Sequence, residues 1–198
     1  MNSRATSGTS LLWMSHCSRV RPDSPSVVAG AARAAVLTED GEMLLLDVAA
    51  NYGNYNADLT RTVPVNGRYS KRQKDVYNAV LRVHNKARAM MKAGVILNEL
   101  NQEVGKIMED ELVGLKLLSK TDIKNQDKAV AAYKKYFPHG TAHFLGLDVH
   151  DVGNRFAKLK AGAVLTCEPG IYIREERKQS VPMFHDVTAL AVHGRGDE

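Results

Sequence analysis

Residues 139–153 read HGTAHFLGLDVHDVG and place His139, His143 and His150, three of the seven histidines, within twelve positions. Imidazole titrates near neutral pH and is the commonest nitrogen ligand for metals in proteins. Here the histidines alternate with glycines and apolar residues, and the run FLGL at 144–147 is typical of a buried strand or a tight turn. The alternative is a solvated surface loop with incidental histidines. If the stretch is buried, its histidines need carboxylates or a metal as partners elsewhere in the chain.

The length and composition predict a soluble globular protein. The chain has 198 residues, enough to bury a sizeable core, and we expect it to form one domain or part of one. Hydrophobic residues make up 44% and charged residues 25% of the chain, and no apolar run approaches the roughly 20 residues of a membrane helix. We therefore expect no membrane partner.

The charge pattern argues against a nucleic-acid-binding protein, and the cysteines argue against a disulfide framework or a zinc motif. The net charge of +5 comes from 27 basic and 22 acidic residues, and basic pairs such as 71–72 and 134–135 are spread over presumed helix surfaces. Such mixed faces are normally solvated, so we expect no nucleic-acid partner. Cys17 and Cys167 form neither a disulfide framework nor a zinc motif, which suits a reducing compartment and predicts a cytoplasmic protein.

The composition of the first 37 residues changes near position 27. Residues 1–26 are rich in Ser and Arg with one acidic residue, and we expect an irregular or disordered leader. A mitochondrial transit peptide is the alternative, although the only apolar run, LLWM at 11–14, is short. From Val27 the chain becomes small and apolar, which predicts a strand over 27–37 followed by a turn at 39–41.

Two aspartates lie on one predicted hairpin. The apolar run MLLLDVAA at 43–50 predicts a buried strand that contains Asp47, residues 51–54 have turn chemistry, and 58–63 predict a second strand that begins at Asp58. An even-length turn places both carboxylates on the same face, opposite or diagonal to each other. Two buried like charges need a cation between them. A salt bridge from Arg61 is the alternative, but it would compensate only one of the two aspartates.

Helices are predicted between the two acidic regions. Ser70 and Gln73 form a capping box, and the helix that follows carries apolar residues at helical spacing up to Gly94. A second helix is expected from about Asn98 and a third, short one over 127–136. Helices that separate strands at both ends of the chain predict an α+β fold. The inward-facing positions are predicted to be Val76, Val80, Val83, Ala87, Met90, Met91, Leu100, Val104, Ile107, Met108 and Leu112.

A third carboxylate with apolar neighbours follows the histidines. The segment from Ala161 to Ile173 is predicted as a strand that contains Glu168. Together, Asp47, Asp58, His143 and Glu168 make an oxygen-rich set with one imidazole. This ligand mixture suits Mn²⁺ or another divalent ion in a two-metal site.

Three motifs, taken in their order along the chain, resemble those of one enzyme family. They are Asp47 followed after ten residues by DLTRTVPVNG at 58–67, the histidine stretch at 139–153, and LTCEPGIY at 165–172. Over roughly residues 27–176 the chain resembles the catalytic domain of Xaa-Pro aminopeptidase (aminopeptidase P), within the creatinase, prolidase and methionine aminopeptidase group. The resemblance implies the pita-bread fold, in which helices back a curved antiparallel sheet, incomplete here at both ends. It therefore implies a catalytic domain over 27–198, with an atypical tail from about 177.

The resemblance also implies an activity and a role for each site residue. The reaction would be hydrolysis of the bond between an N-terminal residue and proline, so the expected partner is a peptide with proline second, and a homo-oligomer is possible. The implied cofactor is a divalent metal, most often two Mn²⁺ ions, which lower the pKa of a bridging water. The implied roles are metal ligation by Asp47, Asp58, His143 and Glu168, substrate contact and proton transfer by His139 and His150, and substrate contact by Tyr172.

The sequence departs from the family pattern in three places, and these departures predict a lower activity. The family's fifth ligand, a bridging glutamate, is replaced by His185 in the segment PMFHDV at 182–187. Thr38 stands where the family has a histidine on the substrate side, and we expect both ends of the family domain to be cut or replaced here. Because imidazole cannot bridge two metals, we expect one ion to bind more readily than two, with weak or absent hydrolysis. The alternatives are a prolidase-type dipeptidase and a non-catalytic pita-bread module that binds peptides or proteins.

Overall fold

A computed structural model describes residues 40–127, 130–173, 183–185 and 188–192. The predicted leader over 1–26, the predicted strand over 27–37 and most of the tail from 177 lie outside the described residues. None of the helices in the described ranges is long and apolar enough to span a bilayer.

The first hairpin forms with the predicted pairing, but the predicted burial of its first strand is wrong, because Leu46 and Val48 are 40% and 38% exposed. Strand β1 (Met43–Val48) pairs antiparallel with β4 (Leu59–Pro64), and Asp47 lies opposite Thr60. Two short strands, β2 (Asn51–Tyr52) and β3 (Tyr55–Asn56), form the connection. Its turn residues, Gly53 and Asn54, have φ of +57° and +68°, which residues of these two types adopt at low cost. The turn therefore fixes the register that places Asp47 on the same face as Asp58.

Two long helices form the core, and both were predicted. Helix α1 (Lys71–Met90) begins at the capping box, in which the Ser70 hydroxyl accepts from the Gln73 backbone and the Gln73 side chain accepts from the Ser70 backbone. Helix α2 is Leu97–Gly114. Of the positions predicted to face inward, Met90 and Ile107 are half-buried and the others are buried. Together with Phe137, Leu159, Leu165 and Ile171, the two helices bury a continuous apolar core.

The third predicted helix is wrong in its extent. The structure has helix α3 at Lys120–Lys124 and a short 3-10 helix at Ala132–Lys135, instead of one helix over 127–136. The α3 start has its own capping box, in which Ser119 and Asp122 exchange side-chain and backbone hydrogen bonds. Gln126 Oε1 accepts the Ala132 N–H at 2.6 Å, which anchors the start of the 3-10 helix from outside it. Side-chain bonds of this kind outweigh the weak helical periodicity.

The last strands form two separate antiparallel pairs. Strand β5 (Val164–Cys167) pairs with β8 (Thr188–Ala191), and β6 (Gly170–Tyr172) pairs with β7 (Met183–His185). The single strand predicted from Ala161 to Ile173 is therefore wrong, because the chain breaks between β5 and β6. Pro169 lies in that break and has no N–H to donate to a continuous ladder. Strand β7 contacts β1 and β4, which brings the two halves of the sheet structure together.

Candidate metal centre

The first side of the candidate centre is the β1–β4 hairpin. Asp47 Oδ1 accepts the Thr60 hydroxyl at 2.7 Å from the facing strand. Asp58 directly precedes β4, two residues before Thr60, so it is diagonal to Asp47 on the same face, as predicted. Burial raises the pKa of Asp47, the Thr60 bond opposes that rise, and the negative charge of Asp58 adds to it. A cation beside these two carboxylates would favour the charged form of Asp47.

The alternative of a salt bridge from Arg61 to one of the two aspartates does not suit this geometry. Arg61 lies opposite Leu46 in the ladder, and neighbouring residues of a strand point to opposite faces. Its guanidinium donates to the Thr60 carbonyl oxygen at 2.7 Å. The strand alternation thus directs Arg61 away from the face that carries the two aspartates.

His143 connects this hairpin to the C-terminal strands. Its Nε2 lies 3.4 Å from Asp58 Oδ2 and 3.3 Å from Glu168 Oε1. Its Nδ1 lies 2.9 Å from the Phe144 carbonyl oxygen, so Nδ1 carries a proton and Nε2 faces the carboxylates. Burial alone would lower the pKa of His143, but its hydrogen bonds and the two carboxylates outweigh burial and raise it. The structure therefore joins residues from three separate motifs in one cluster.

Glu168 is the most strongly perturbed carboxyl group of the cluster. It lies in the break between β5 and β6 and accepts the Thr166 hydroxyl at 2.9 Å. Its N–H donates to the Thr141 carbonyl oxygen at 2.8 Å. Burial raises the pKa of Glu168 to about 7, while His143 and Thr166 act in the opposite direction. Burial is thus the main cause of the shift, and a cation nearby would lower this pKa.

His139 and Tyr172 form a second contact beside the cluster. His139 Nδ1 lies 2.7 Å from the Gly140 carbonyl oxygen and therefore donates, which leaves Nε2 to accept the Tyr172 hydroxyl in a short hydrogen bond. The two rings meet edge to face with centroids 5.2 Å apart. Burial lowers the pKa of His139 and raises that of Tyr172. The pair is thus a neutral imidazole held by a neutral phenol.

His150 lies on a loop that is anchored to the first hairpin. Its ring is exposed and lies 4.2 Å from the His143 ring, centroid to centroid. The Asn56 side chain donates to the Leu147 carbonyl oxygen at 2.6 Å, and Asp151 accepts the Leu147 N–H at 3.1 Å. The predicted burial of this stretch is correct for Leu145, which is 6% exposed, and wrong for Leu147, which is 59% exposed. The loop therefore presents His150 at the open side of the cluster.

The residues present fit a divalent cation in their chemistry. Among the described residues, no group of three or more His, Cys, Asp or Glu side chains is arranged to hold a metal ion as it stands. His143 lies against Asp58 and Glu168 and partly compensates their charge. Burial raises the pKa of both Asp47 and Glu168, and a cation bound between them would favour their charged forms. Three carboxylates and one imidazole are a donor set for ions such as Mn²⁺.

Comparison with known proteins identifies the family. Residues 13–190 match the metallopeptidase family M24. This chain belongs to that family. The M24 assignment confirms the family resemblance of the three motifs, and the predicted α+β, pita-bread class is confirmed by the solved structures described next.

The M24 relatives are named as aminopeptidases. The chain is 39% identical to Xaa-Pro aminopeptidase of Haemophilus influenzae over 173 residues, which is 81% of this chain and 40% of the relative. It is 38% identical to human Xaa-Pro aminopeptidase 3, with 81% of this chain and 33% of the relative covered. Zn-substituted Escherichia coli aminopeptidase P in complex with product superposes with a TM-score of 0.70 at 34% identity, covering 81% of this chain and 38% of that chain. The chain thus spans less than half the length of these relatives.

Several supporting residues of the site were not predicted. Thr166 lies on β5 two positions before Glu168, and residues two apart in extended backbone point to the same side, a spacing that could have indicated it. Thr141, Asn101 and Asn56 act through bonds between distant segments, which no local pattern reveals. His185, predicted from the sequence to stand at the position of the family's fifth ligand, lies opposite Gly170 in the β6–β7 ladder.

Proposed function

We propose that this chain provides the catalytic region of a divalent-metal aminopeptidase that removes an N-terminal residue preceding proline. The observation that carries the proposal is the Asp58–His143–Glu168 cluster, with Asp47 on the same hairpin face. The relatives named Xaa-Pro aminopeptidase support the substrate class. The M24 membership supports the reaction type, hydrolysis of a peptide bond.

Each member of the cluster has a role in this proposal. Asp47, Asp58, His143 and Glu168 would hold the cation, because they bring both negative charge and a nitrogen donor to one place. A bound divalent ion supplies an acidified water and polarises the scissile carbonyl group. We assign the cation as Mn²⁺, which suits an oxygen-rich set with one imidazole.

The neutral pair and the exposed histidine would act on the substrate. His139 keeps its Nε2 lone pair directed at the Tyr172 hydroxyl, and both side chains would contact the peptide beside the scissile bond. His150 is exposed and adjacent to His143, which suits a group that takes and returns a proton at the open side. Proton transfer by a positioned side chain contributes roughly 10²–10⁴-fold in rate.

We further infer a cytoplasmic location and a single bound ion. The location rests on cysteine usage that suits a reducing compartment. The single ion rests on His185, since an imidazole offers one lone pair to one metal and cannot bridge two. We therefore expect slow hydrolysis, and assembly into a homo-oligomer stays a prediction.

An assay of three peptides tests the proposal. The purified chain is incubated with Mn²⁺ or a chelator and offered an Xaa-Pro-Xaa tripeptide, an Xaa-Pro dipeptide and an Xaa-Ala-Xaa tripeptide. We expect slow, chelator-sensitive release of the first residue from the Xaa-Pro-Xaa peptide alone, and no release by Glu168→Gln. Cleavage of the dipeptide alone would assign a prolidase. The absence of both Mn²⁺ binding and cleavage would contradict the proposal and favour a peptide- or protein-binding module.

A further inference from the structure

Asn101 lies on α2 and reaches the histidine segment directly. Its side-chain oxygen Oδ1 accepts the Thr141 N–H at 2.8 Å, across a separation of 40 residues in the chain. Thr141 is 1% exposed, so this N–H has no access to water. A buried N–H without an acceptor is strongly unfavourable, which makes the bond hard to replace.

Thr141 is a junction between the two halves of the candidate centre. It lies two residues after His139 and two residues before His143, and its carbonyl oxygen accepts the Glu168 N–H at 2.8 Å. The His143 carbonyl oxygen accepts the Thr166 N–H at 2.9 Å, so this segment runs antiparallel to β5. The position of the segment 139–143 relative to Glu168 is thus set by backbone bonds to β5 on one side and by Asn101 on the other.

We infer that Asn101 is a positioning residue that sets the distance between the histidine segment and Glu168. The inference rests on the proposed function, because the groups it positions are the proposed metal ligands His143 and Glu168 and the substrate group His139. Without the amide oxygen, the Thr141 N–H loses its acceptor and the segment shifts on β5. Groups that orient metal ligands typically change metal affinity about 10–100-fold when they are removed.

Three variants test the role of Asn101. Asn101→Leu has a similar volume and no acceptor, Asn101→Asp keeps an acceptor oxygen at the same place, and Gln102→Leu is the matched control on the exposed face of α2. Hydrogen exchange of the Thr141 and Glu168 amides reports the backbone bonds. Titration with Co²⁺ alone gives the affinity, and the ligand-field spectrum of bound Co²⁺ reports the ligand arrangement.

We expect Asn101→Leu to accelerate exchange at both amides, weaken Co²⁺ binding about 10-fold and alter the spectrum. Asn101→Asp should restore all three, and Gln102→Leu should leave them unchanged. Unchanged exchange in Asn101→Leu would overturn the inference, as would fast exchange with an unaltered affinity and spectrum, which would make the bond purely structural.

Failure of the proposed function has a different signature. A wild-type chain that binds no Co²⁺ would contradict the metal site, while the response of the Glu168 amide to Asn101→Leu would still decide whether Asn101 sets that backbone. If Asn101→Leu does not fold, Asn101→Ser takes its place, because its shorter side chain cannot reach Thr141 and adds no apolar surface.

Discussion

His143 Nε2 lies 3.3 Å from Glu168 Oε1. The carboxylate raises the pKa of the imidazole, and the imidazole lowers the pKa of the carboxyl group. The carboxyl group keeps a raised pKa despite this neighbour, because burial outweighs it, and the imidazole has a raised pKa because of its bonds to Asp58 and Phe144, with a further contribution from Glu168. In the metal-free protein the pair therefore holds protons that the unfolded chain releases at lower pH. A cation would replace those protons.

The stability of the metal-free chain should consequently fall as pH rises through neutrality. Glu168 has a pKa of about 7 in the folded state against a usual value of 4.5, so between these values the folded state binds more protons and loses stability with rising pH. His143 acts in the same direction, because its raised pKa stabilises the fold at low pH and that contribution disappears above it. Thermal unfolding in chelator between about pH 5 and 8 measures this. Glu168→Gln should flatten the profile, and an unchanged slope would contradict the assignment.

Asp47→Asn should have opposite effects with and without metal. In chelator the variant should be at least as stable as the wild type, since it removes one of two neighbouring carboxylates and keeps an acceptor for Thr60. With Mn²⁺ present, the rise in melting temperature should shrink, because fewer anions attract the cation and occupied metal stabilises by mass action. Asp40→Asn, at an exposed carboxylate, is the control. Equal Mn²⁺ shifts in wild type and Asp47→Asn would exclude Asp47 as a ligand.

His150→Ala should reduce peptidase activity about 10²–10⁴-fold while metal content stays nearly unchanged. The ring is exposed and lies beside His143 rather than among the carboxylates, which suits proton transfer rather than ligation. Single-turnover rates and elemental analysis of the same preparation provide the measurement. Loss of metal would assign His150 as a ligand, and full activity would assign it a structural role.

Two buried threonines beside the centre should respond oppositely to the same substitution. Among the described residues, the Thr141 hydroxyl has no hydrogen-bond partner, so Thr141→Val should stabilise the fold by about 1 kcal/mol. Thr166 Oγ1 accepts the His143 N–H and donates to Glu168, both at 2.9 Å, so Thr166→Val should cost about 1–3 kcal/mol. Denaturant unfolding in chelator compares the two variants. Equal effects would show that these bonds do not determine the difference.

His185→Glu should add the capacity for a second ion. The wild type should bind one divalent ion per chain, and the variant should bind two and hydrolyse Xaa-Pro peptides faster, because a carboxylate can bridge metals about 3.5–4 Å apart. Elemental analysis and the tripeptide assay measure both effects. Two ions in the wild type, with robust cleavage, would prove the single-ion expectation wrong.

Local sequence patterns predicted the parts of the fold that local bonds stabilise. The Ser70 capping box and the turn at Gly53 are short-range devices, and the helix and hairpin that they define are present. The helix expected over 127–136 does not form because Gln126 bonds to Ala132 across six residues. The single strand expected through Pro169 does not form because proline has no N–H to donate to a continuous ladder. Contacts between distant segments, such as Asn101 with Thr141, leave no periodic signal.

The break between β5 and β6 also has a kinetic consequence. Glu168 lies between two strands whose partners, β8 and β7, both come later in the chain, while Asp47 lies in the first described strand. Contacts between segments so far apart require large loops to close, and such contacts form slowly. During refolding, the helical signal of α1 and α2 should therefore recover before metal capture. A chain diluted from denaturant into Co²⁺ should develop its helical circular dichroism first and its cobalt spectrum afterwards.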